Sequence, residues 1–445
     1  MDTRPSALAL TPLLLFLALF LGAGLYFTAQ GEAMGFYQVR APVAILPALA
    51  LAAWLAWRRR VPVQETLFAG MGHPNVMLMA LIFLLAGAFA TVSKSVGAVD
   101  AVVALGLGHL PPALILPGLF ALAGFVALAI GTSMGTIAAV VPIALGVADA
   151  AGLDRGLVLG AVVGGAMFGD NLSVISDTTI AATRSQGAQM RDKFRENFWI
   201  ALPAAIATLL TLAVLGNAAP VESVRSDASP WLVLPYVAVL VLAVAGVDVV
   251  VVLALGLVLA AGFGISLGEG YGVAEVAGDV YAGFEGMVEI TLLSILIGGL
   301  AALMKASGGL DWLASSIARL ARGSSGRRVG EFSIAALAAG GDALTANNTV
   351  AILVAGDVAR DIAGRHGVTP RRAASLLDIF ACAVQGVLPY GAQILLAASL
   401  GGVSSLSIAG QVHYCWLLAI VAVAFMVWPR RAEAGASPLS AAADA

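Results

Sequence analysis

Residues 169–179 read GDNLSVISDTT. Two carboxylates (Asp170, Asp177), the amide of Asn171 and the hydroxyls of Ser173, Ser176, Thr178 and Thr179 stand together here. The apolar run before them, counted from Leu157, is thirteen residues long. About twenty are needed to cross a hydrocarbon core of roughly 30 Å. The polar stretch therefore belongs inside the span begun at Leu157. An aspartate at the centre of a membrane helix costs about 2.5–3.5 kcal/mol on insertion scales, so a continuous lipid-facing helix is untenable. A broken helix within a bundle resolves this, because its unwound carbonyls and side-chain oxygens can face a protein cavity. Asp170 and Asp177 are seven residues apart and would share one face of an intact helix; across a break they bracket it. The competing reading is a polar cytoplasmic loop leading to Arg184.

The rest of the chain supports a membrane setting. Of its 445 residues 60% are hydrophobic and 11% charged, with a mean hydropathy of +0.97. Soluble domains sit nearer half apolar and a quarter charged. The net charge of −3 and the lack of a separate basic region speak against nucleic acid as a partner. Cys382 and Cys415 lie in apolar runs, and His73, His109, His366 and His413 are scattered. Neither set has disulfide-framework or metal-ligand spacing.

Apolar runs recur at 8–28, 41–57, 76–93, 113–130, 132–149, 157–183, 197–216, 231–246, 249–267, 288–304, 331–345, 346–363, 373–396 and 412–428. The first is too long for a signal-peptide core and reads as a first transmembrane helix. Basic residues follow alternate spans: Arg58–Arg60, Arg184 to Arg195, Arg319 to Arg328, Arg365 to Arg372, and Arg430–Arg431. Loops 98–112, 266–287 and 397–411 carry no lysine or arginine. Fourteen passes with both termini cytoplasmic satisfy this pattern, Arg40 and Arg225 being mild exceptions. The expected location is a bacterial inner membrane.

Residues 86–100 (AGAFATVSKSVGAVD) match 297–311 (IGGLAALMKASGGLD) at Gly87/Gly298, Ala90/Ala301, Lys94/Lys305, Gly97/Gly308 and Asp100/Asp311. Seven spans per half require the second half to be inverted. Loop charge agrees, since basic loops in one half align with loops lacking basic residues in the other. The expected fold is an all-α polytopic membrane protein of about twelve to fourteen spans in two inverted-topology repeats, with broken helices and candidate re-entrant hairpins. Its divisions are 1–216 (first repeat), 217–230 (outer linker), 231–428 (second repeat) and 429–445 (disordered cytoplasmic tail).

The second polar stretch is GGDALTANNTVAI (Gly340–Ile352), with Asp342, Thr345, Asn347, Asn348 and Thr349. Its counterpart GTSMGT (Gly131–Thr136) supplies Thr132, Ser133 and Thr136. Each reads as a helix–turn–helix with a polar tip, although Asn and Asp also serve as ordinary turn and cap residues. The third stretch, LLDIFACAVQGVLPYGAQILLA (376–397), holds Pro389 and Gly391 near Gln385, Tyr390 and Gln393. It falls near the first broken helix in the repeat, with QGVLPYGAQ (385–393) opposite GDNLSVISD (169–177), and carries neutral groups there. Asp378 is expected to lie shallower, capping or pairing with arginines at the cytoplasmic end. Lys94 and Lys305 are expected to snorkel at span ends.

At these residues the sequence resembles the NhaC family of sodium/proton antiporters and the wider ion-transporter superfamily. FGDNLSVISDTT (Phe168–Thr179) is similar to that family's FGD-x-x-S-P-x-S-D-T-T signature, with TANNTVAI and LLDIFACAVQGVLPYGAQ in support and a resemblance covering roughly 75–428. Val174 stands where the signature has proline. The resemblance implies secondary transport driven by sodium or proton gradients, with Asp170, Ser173, Ser176, Asp177, Thr178 and Thr179 as the natural ion site. Family members also carry carboxylates and amino acids.

Sodium is a hard cation and takes oxygen ligands. Burial disfavours a charged carboxylate, so proton and sodium compete for one group, here Asp170 or Asp177, with Asp170 deeper. Sodium and proton are the coupling ions expected, and no other cofactor. The partners expected are a small ion or solute and the lipid bilayer, and a homodimer is compatible. The alternative is sodium- or proton-coupled transport of a small carboxylate or amino acid held at Thr132–Thr136 and Thr345–Thr349, with Gln385, Tyr390 and Gln393. An intramembrane enzyme is remote: no HExxH motif occurs, no histidine falls in the polar segments, and only an Asp170–Asp342 dyad remains.

Overall fold

The computed structural model describes residues 5–30, 38–107, 111–173, 176–216, 229–267, 270–322 and 326–427, and all regular structure among them is helical. The predicted linker (217–230) lies almost wholly outside the described residues, and the predicted tail (429–445) lies outside them altogether.

The first half contains α1 (Thr11–Ala29), α2 (Ala41–Ala44), α3 (Leu46–Arg58), α4 (Val63–Met71), α5 (Pro74–Ser95), α6 (Ala98–Leu107), α7 (Ile115–Ile130), α8 (Ser133–Ala151), α9 (Arg155–Leu172), α10 (Asp177–Gln186) and α11 (Met190–Leu215). The second contains α12 (Leu234–Val244), α13 (Val249–Leu267), α14 (Val273–Ala306), α15 (Gly309–Arg322), α16 (Arg327–Thr345), α17 (Asn348–His366), α18 (Pro370–Gln385), α19 (Ala392–Gly401), α20 (Ser405–Gln411) and α21 (His413–Val427).

The α9–α10 segment sits at the centre and is almost wholly buried, whereas α11 and α13 are largely exposed on one side. Its start is fixed by Asp154, whose carboxylate accepts from the Leu157 amide at 2.8 Å. Glycines let its neighbours close in. A Cβ on Gly165 would lie 2.2 Å from the Phe120 carbonyl of α7, and one on Gly169 would lie 2.3 Å from that of Gly124. Gly160 meets the Gln411 carbonyl in the same way. Close backbone approach at small residues is the packing available where lipid provides no hydrophobic drive between helices.

Several helix ends and starts recur at a near-constant spacing between the first and second halves of the chain. Left-handed residues recur as Gly97 and Gly308, 211 apart, then as Gly131/Ala346, Gly152/Gly367 and Gly187/Gly402, each 215 apart. The helix starts Ser133/Asn348, Arg155/Pro370 and Asp177/Ala392 follow the same 215 spacing. This shifts the predicted alignment by one or two residues and sets Asp170 opposite Gln385. Segment α4–α5 corresponds to the 34-residue α14, and the two pack together. Gly87 closes on Gly283, and Gly298 closes on Gly70. Rising numbers on one side meet falling numbers on the other, so these equivalent segments run antiparallel.

Fewer helices are membrane-length than the fourteen expected. Among the described residues eight are long and apolar enough to cross a bilayer, or nine if the pair α19 and α20, bent by 114°, counts as one span. Sequence periodicity cannot separate a full crossing from a helix that stops midway, and α7, α18 and α21 are only 15 or 16 residues long. The loop predicted at 266–287 is mostly helix: α14 starts at Val273 and runs about 51 Å at 1.5 Å per residue. Lys193 and Arg372, read as loop charges, are each 1% exposed. Arg372 pairs with Glu331 at 3.2 Å and Glu196 at 3.1 Å, joining the starts of α11, α16 and α18.

Replacing Gly165 by valine should abolish the monodisperse peak in size-exclusion chromatography, because backbone stands where the side chain must go. Gly118→Ala, on the open face of the same α7 partner, should leave the profile unchanged.

Candidate functional site

The α9 helix ends at Leu172, and Ser173 continues in extended conformation. Ser176 then caps α10. Asp170, in the last turn of α9, is 4% exposed. One carboxylate oxygen accepts from Ser176 Oγ at 2.6 Å, the other from Ser133 Oγ at 3.1 Å. Behind Ser133 stands a relay of donors. Gln393 Nε2 donates to Ser133 Oγ at 3.1 Å, and Gln385 Nε2 donates to Gln393 Oε1 at 2.7 Å. Gln385 Nε2 also lies 3.3 Å from the Ala346 carbonyl. Ser176 and Thr178 hydroxyls are 2.8 Å apart. The broken helix of each half and both hairpin tips are thus joined through Asp170.

The tips are built alike. At the first, Gly131 ends α7 in the left-handed region (φ 76) and extended Thr132 starts α8. At the second, Ala346 takes the same place (φ 48), and Asn347 caps α17 by accepting from the Val350 amide at 3.0 Å. A non-glycine residue in this region is strained by about 1–2 kcal/mol, and such strain concentrates at functional sites.

A cavity of about 70 Å³ lies where these parts meet. Of the predicted residues, Thr132, Ser133, Asp170, Ser176, Asp177, Thr178, Asn347, Asn348, Thr349 and Gln393 line it, joined by Asn75 and Met79 of α5. The N-terminal turns of α8, α10, α17 and α19 all contribute. Asp177 is the first residue of α10 and is exposed, unlike Asp170.

Eight predicted residues lie away from the cavity. Thr136 donates to its own helix at Thr132 O. Thr345 Oγ1 sits between the Gly341 and Asn347 carbonyls. Tyr390 donates to Ala343 O at 2.6 Å, supporting the second tip from behind. Gln385 acts through Gln393. Asp342 is fully buried, and neither carboxylate oxygen has a hydrogen-bond partner. Asn171 and Thr179 face the opposite side of the break, where Thr179 Oγ1 donates to the Ser173 carbonyl. Val174, where the family signature has proline, lies outside the described residues.

That opposite side holds residues the sequence did not single out. Lys193 Nζ pairs with Asp378 at 2.7 Å, and it donates to Thr179 Oγ1 at 2.6 Å and to the Asn171 carbonyl at 3.1 Å. Asn197 Nδ2 donates to the same Asn171 carbonyl and to Asp378. Asp378 is therefore fully buried on α18 and paired with Lys193 of α11, where the sequence suggested a cap or an arginine partner. The available signal was Lys193 and Asn197 four residues apart, on one face of α11 with buried Ala201 and Ala204.

A model of the Na+/H+ antiporter family matches residues 42–217 and 217–429. The chain belongs to the Na+/H+ antiporter family. With its long apolar helices, it is a multi-pass membrane protein. It is 29% identical over 187 residues to the malate-2H(+)/Na(+)-lactate antiporter of Bacillus subtilis, covering 38% of this chain and 40% of that protein. It is 26% identical over 219 residues to the Na(+)/H(+) antiporter NhaC of the same organism, covering 45% and 47%. The arginine/ornithine antiporter ArcD of Halobacterium salinarum is 30% identical over 154 residues, covering 34% and 32%. The chain spans less than half the length of each of these relatives.

The strain at Ala346 gives the protein an asymmetric response to glycine. Ala346→Gly should hold or raise the thermal unfolding midpoint, while Gly131→Ala should lower stability by about 1–2 kcal/mol, the cost of a Cβ in the left-handed region. Thermal-shift measurement of the two purified variants checks both signs.

Proposed function

We propose that this protein exchanges sodium for protons across the membrane, and that Asp170 is the carboxylate for which the two cations compete. The size of the cavity carries this reading. About 70 Å³ accommodates a small cation with a few waters, whereas organic-ligand pockets run to roughly 300–1,000 Å³. The donor set is all oxygen near Asp170: its carboxylate, the hydroxyls of Ser133, Ser176 and Thr178, and the side chains of Asn347 and Asn348. Hard cations prefer such ligands. With no cation bound, the two serine hydroxyls satisfy the carboxylate; a cation would turn their lone pairs toward itself. Family membership supports the same direction of argument, as does the named activity of the Bacillus NhaC relative.

The inverted-repeat architecture belongs to this proposal. It is supported by the 215-residue recurrence of caps and helix starts and by the antiparallel packing of α4–α5 against α14. Inversion places the α7–α8 tip and the α16–α17 tip on either side of one site, the arrangement alternating access requires. Both termini are assigned to the cytoplasmic side from the basic loops. The protein acts as a transporter rather than an enzyme, with sodium and protons as its coupling ions.

A second reading, coupled transport of a small carboxylate or amino acid, has one observation in its favour. A separate cleft of about 720 Å³ is lined by Lys94, Arg155, Asp100 and Asp149, large enough for such a solute. It lies away from Asp170, and the malate/lactate and arginine/ornithine relatives motivate testing it.

In proteoliposomes with an internal pH dye, Asp170→Asn should abolish sodium-driven proton movement. Ser133→Ala and Ser176→Ala should each raise the half-saturating sodium concentration about tenfold, the equivalent of losing about 1.4 kcal/mol of ligation. Asp177→Asn, exposed at a helix start, should have a smaller effect. Full sodium-dependent proton movement in Asp170→Asn would falsify the assignment, and malate- or arginine-dependent flux without a sodium-driven proton signal would favour the second reading.

A further inference from the structure

We infer that the back of the α9–α10 break is a second cation site, permanently filled by the ammonium of Lys193. The ligands are those an alkali cation would use: the Asp378 carboxylate at 2.7 Å, the Thr179 hydroxyl at 2.6 Å and the Asn171 carbonyl, released where α9 ends, at 3.1 Å. All are cut off from solvent: Lys193 and Thr179 are 1% exposed, Asp378 and Asn197 0%. An ammonium has three donors, and these three oxygens use them. Two further oxygens of the same cluster, Asp378 Oδ1 and Asn197 Oδ1, are buried with no hydrogen-bond partner. The cluster thus offers more oxygen than the lysine can satisfy.

The position gives the site its role. Asn171 and Thr179 are the chain neighbours of Asp170 and Thr178, so the two cation positions lie on opposite faces of one break. The front, at Asp170, opens to the 70 Å³ cavity; the back is closed by α11 and α18. A tethered cation there neutralises Asp378 and sits at the negative end of the α9 dipole without ever leaving. Lys193 therefore holds the protein to one exchangeable sodium where the break provides two positions. The count of one rests on the proposed sodium site at Asp170; the tethered-cation role does not.

The test uses full-length purified protein, radioactive sodium binding and thermal unfolding in sodium or choline chloride. Wild type should bind one sodium per chain and Lys193→Ala two. Lys193→Ala should be unstable in choline and recover in sodium, with a sodium-induced shift of the midpoint larger than wild type's. Asp170→Asn should bind none, and Asp170→Asn/Lys193→Ala should bind one. The charge-free pair Lys193→Met/Asp378→Asn should fold without sodium and bind one. If Lys193→Ala binds a single sodium with no extra stabilisation, or fails to fold in sodium while Lys193→Met/Asp378→Asn folds, the lysine is only a structural ion-pair partner and the inference is overturned. No sodium binding to wild type, combined with sodium rescue of Lys193→Ala, would instead remove the Asp170 reading and keep the tethered cation.

Discussion

A helix broken inside a membrane exposes backbone groups that no water can receive, and everything at the centre of this protein answers that constraint. The carbonyls freed at the end of α9 are met from one side by Lys193 and Asn197, which share the Asn171 oxygen. Thr179 reaches back to the Ser173 carbonyl at 2.7 Å. On the other side Ser133 and Ser176 satisfy the Asp170 carboxylate. A break that would otherwise be costly is converted into two polar faces, one sealed and one open. The sealed face fixes the geometry on which the open face depends.

Positions 215 residues apart in the two halves carry different chemistry. Where the first break carries Asp170, the corresponding position of the second carries Gln385, and where the first has Thr178 the second has Gln393. An amide cannot bear the charge, but it can donate. Gln385 and Gln393 form a relay whose last N–H meets Ser133 and so orders the hydroxyl that meets Asp170. One carboxylate is thus served by neutral groups from the other half of the chain. Asp342 falls outside the relay, buried and without a partner, and the hydrogen bonds give no account of it.

Packing relies on small residues at two places in the bundle. Gly165 and Gly169 bring α9 within backbone contact of α7, which fixes the depth of the Thr132–Ser133 tip relative to Asp170. The reciprocal pairs Gly87/Gly283 and Gly70/Gly298 do this between the long helices of the two halves. These positions tolerate no Cβ, so the close approach is a property of the backbone and leaves side-chain volume free for the site.

The sequence by itself was enough for the membrane setting, the broken helix at Asp170 and the two polar tips, because each is a local departure from an apolar background. A carboxylate in an apolar run and a Gly-Thr-Ser or Asn-Asn tip can both be read without knowing any neighbour. Tertiary structure alone decided the rest. Lys193 and Arg372 read as loop charges because basic residues near span ends usually are; only contact with Asp378, Glu331 and Glu196 shows them buried. The number of membrane-length helices among the described residues is lower than the span count for a related reason, since hydropathy measures how apolar a helix is and not where it stops. Whether Asp170 or Asp177 lies deeper, and which of eighteen predicted polar residues share one cavity, depended on how four helix starts converge across some 260 residues of chain, as Ser133 meeting Gln393 illustrates. Pattern in the chain marks polar groups that must find partners in a membrane; only the packed fold chooses the partners.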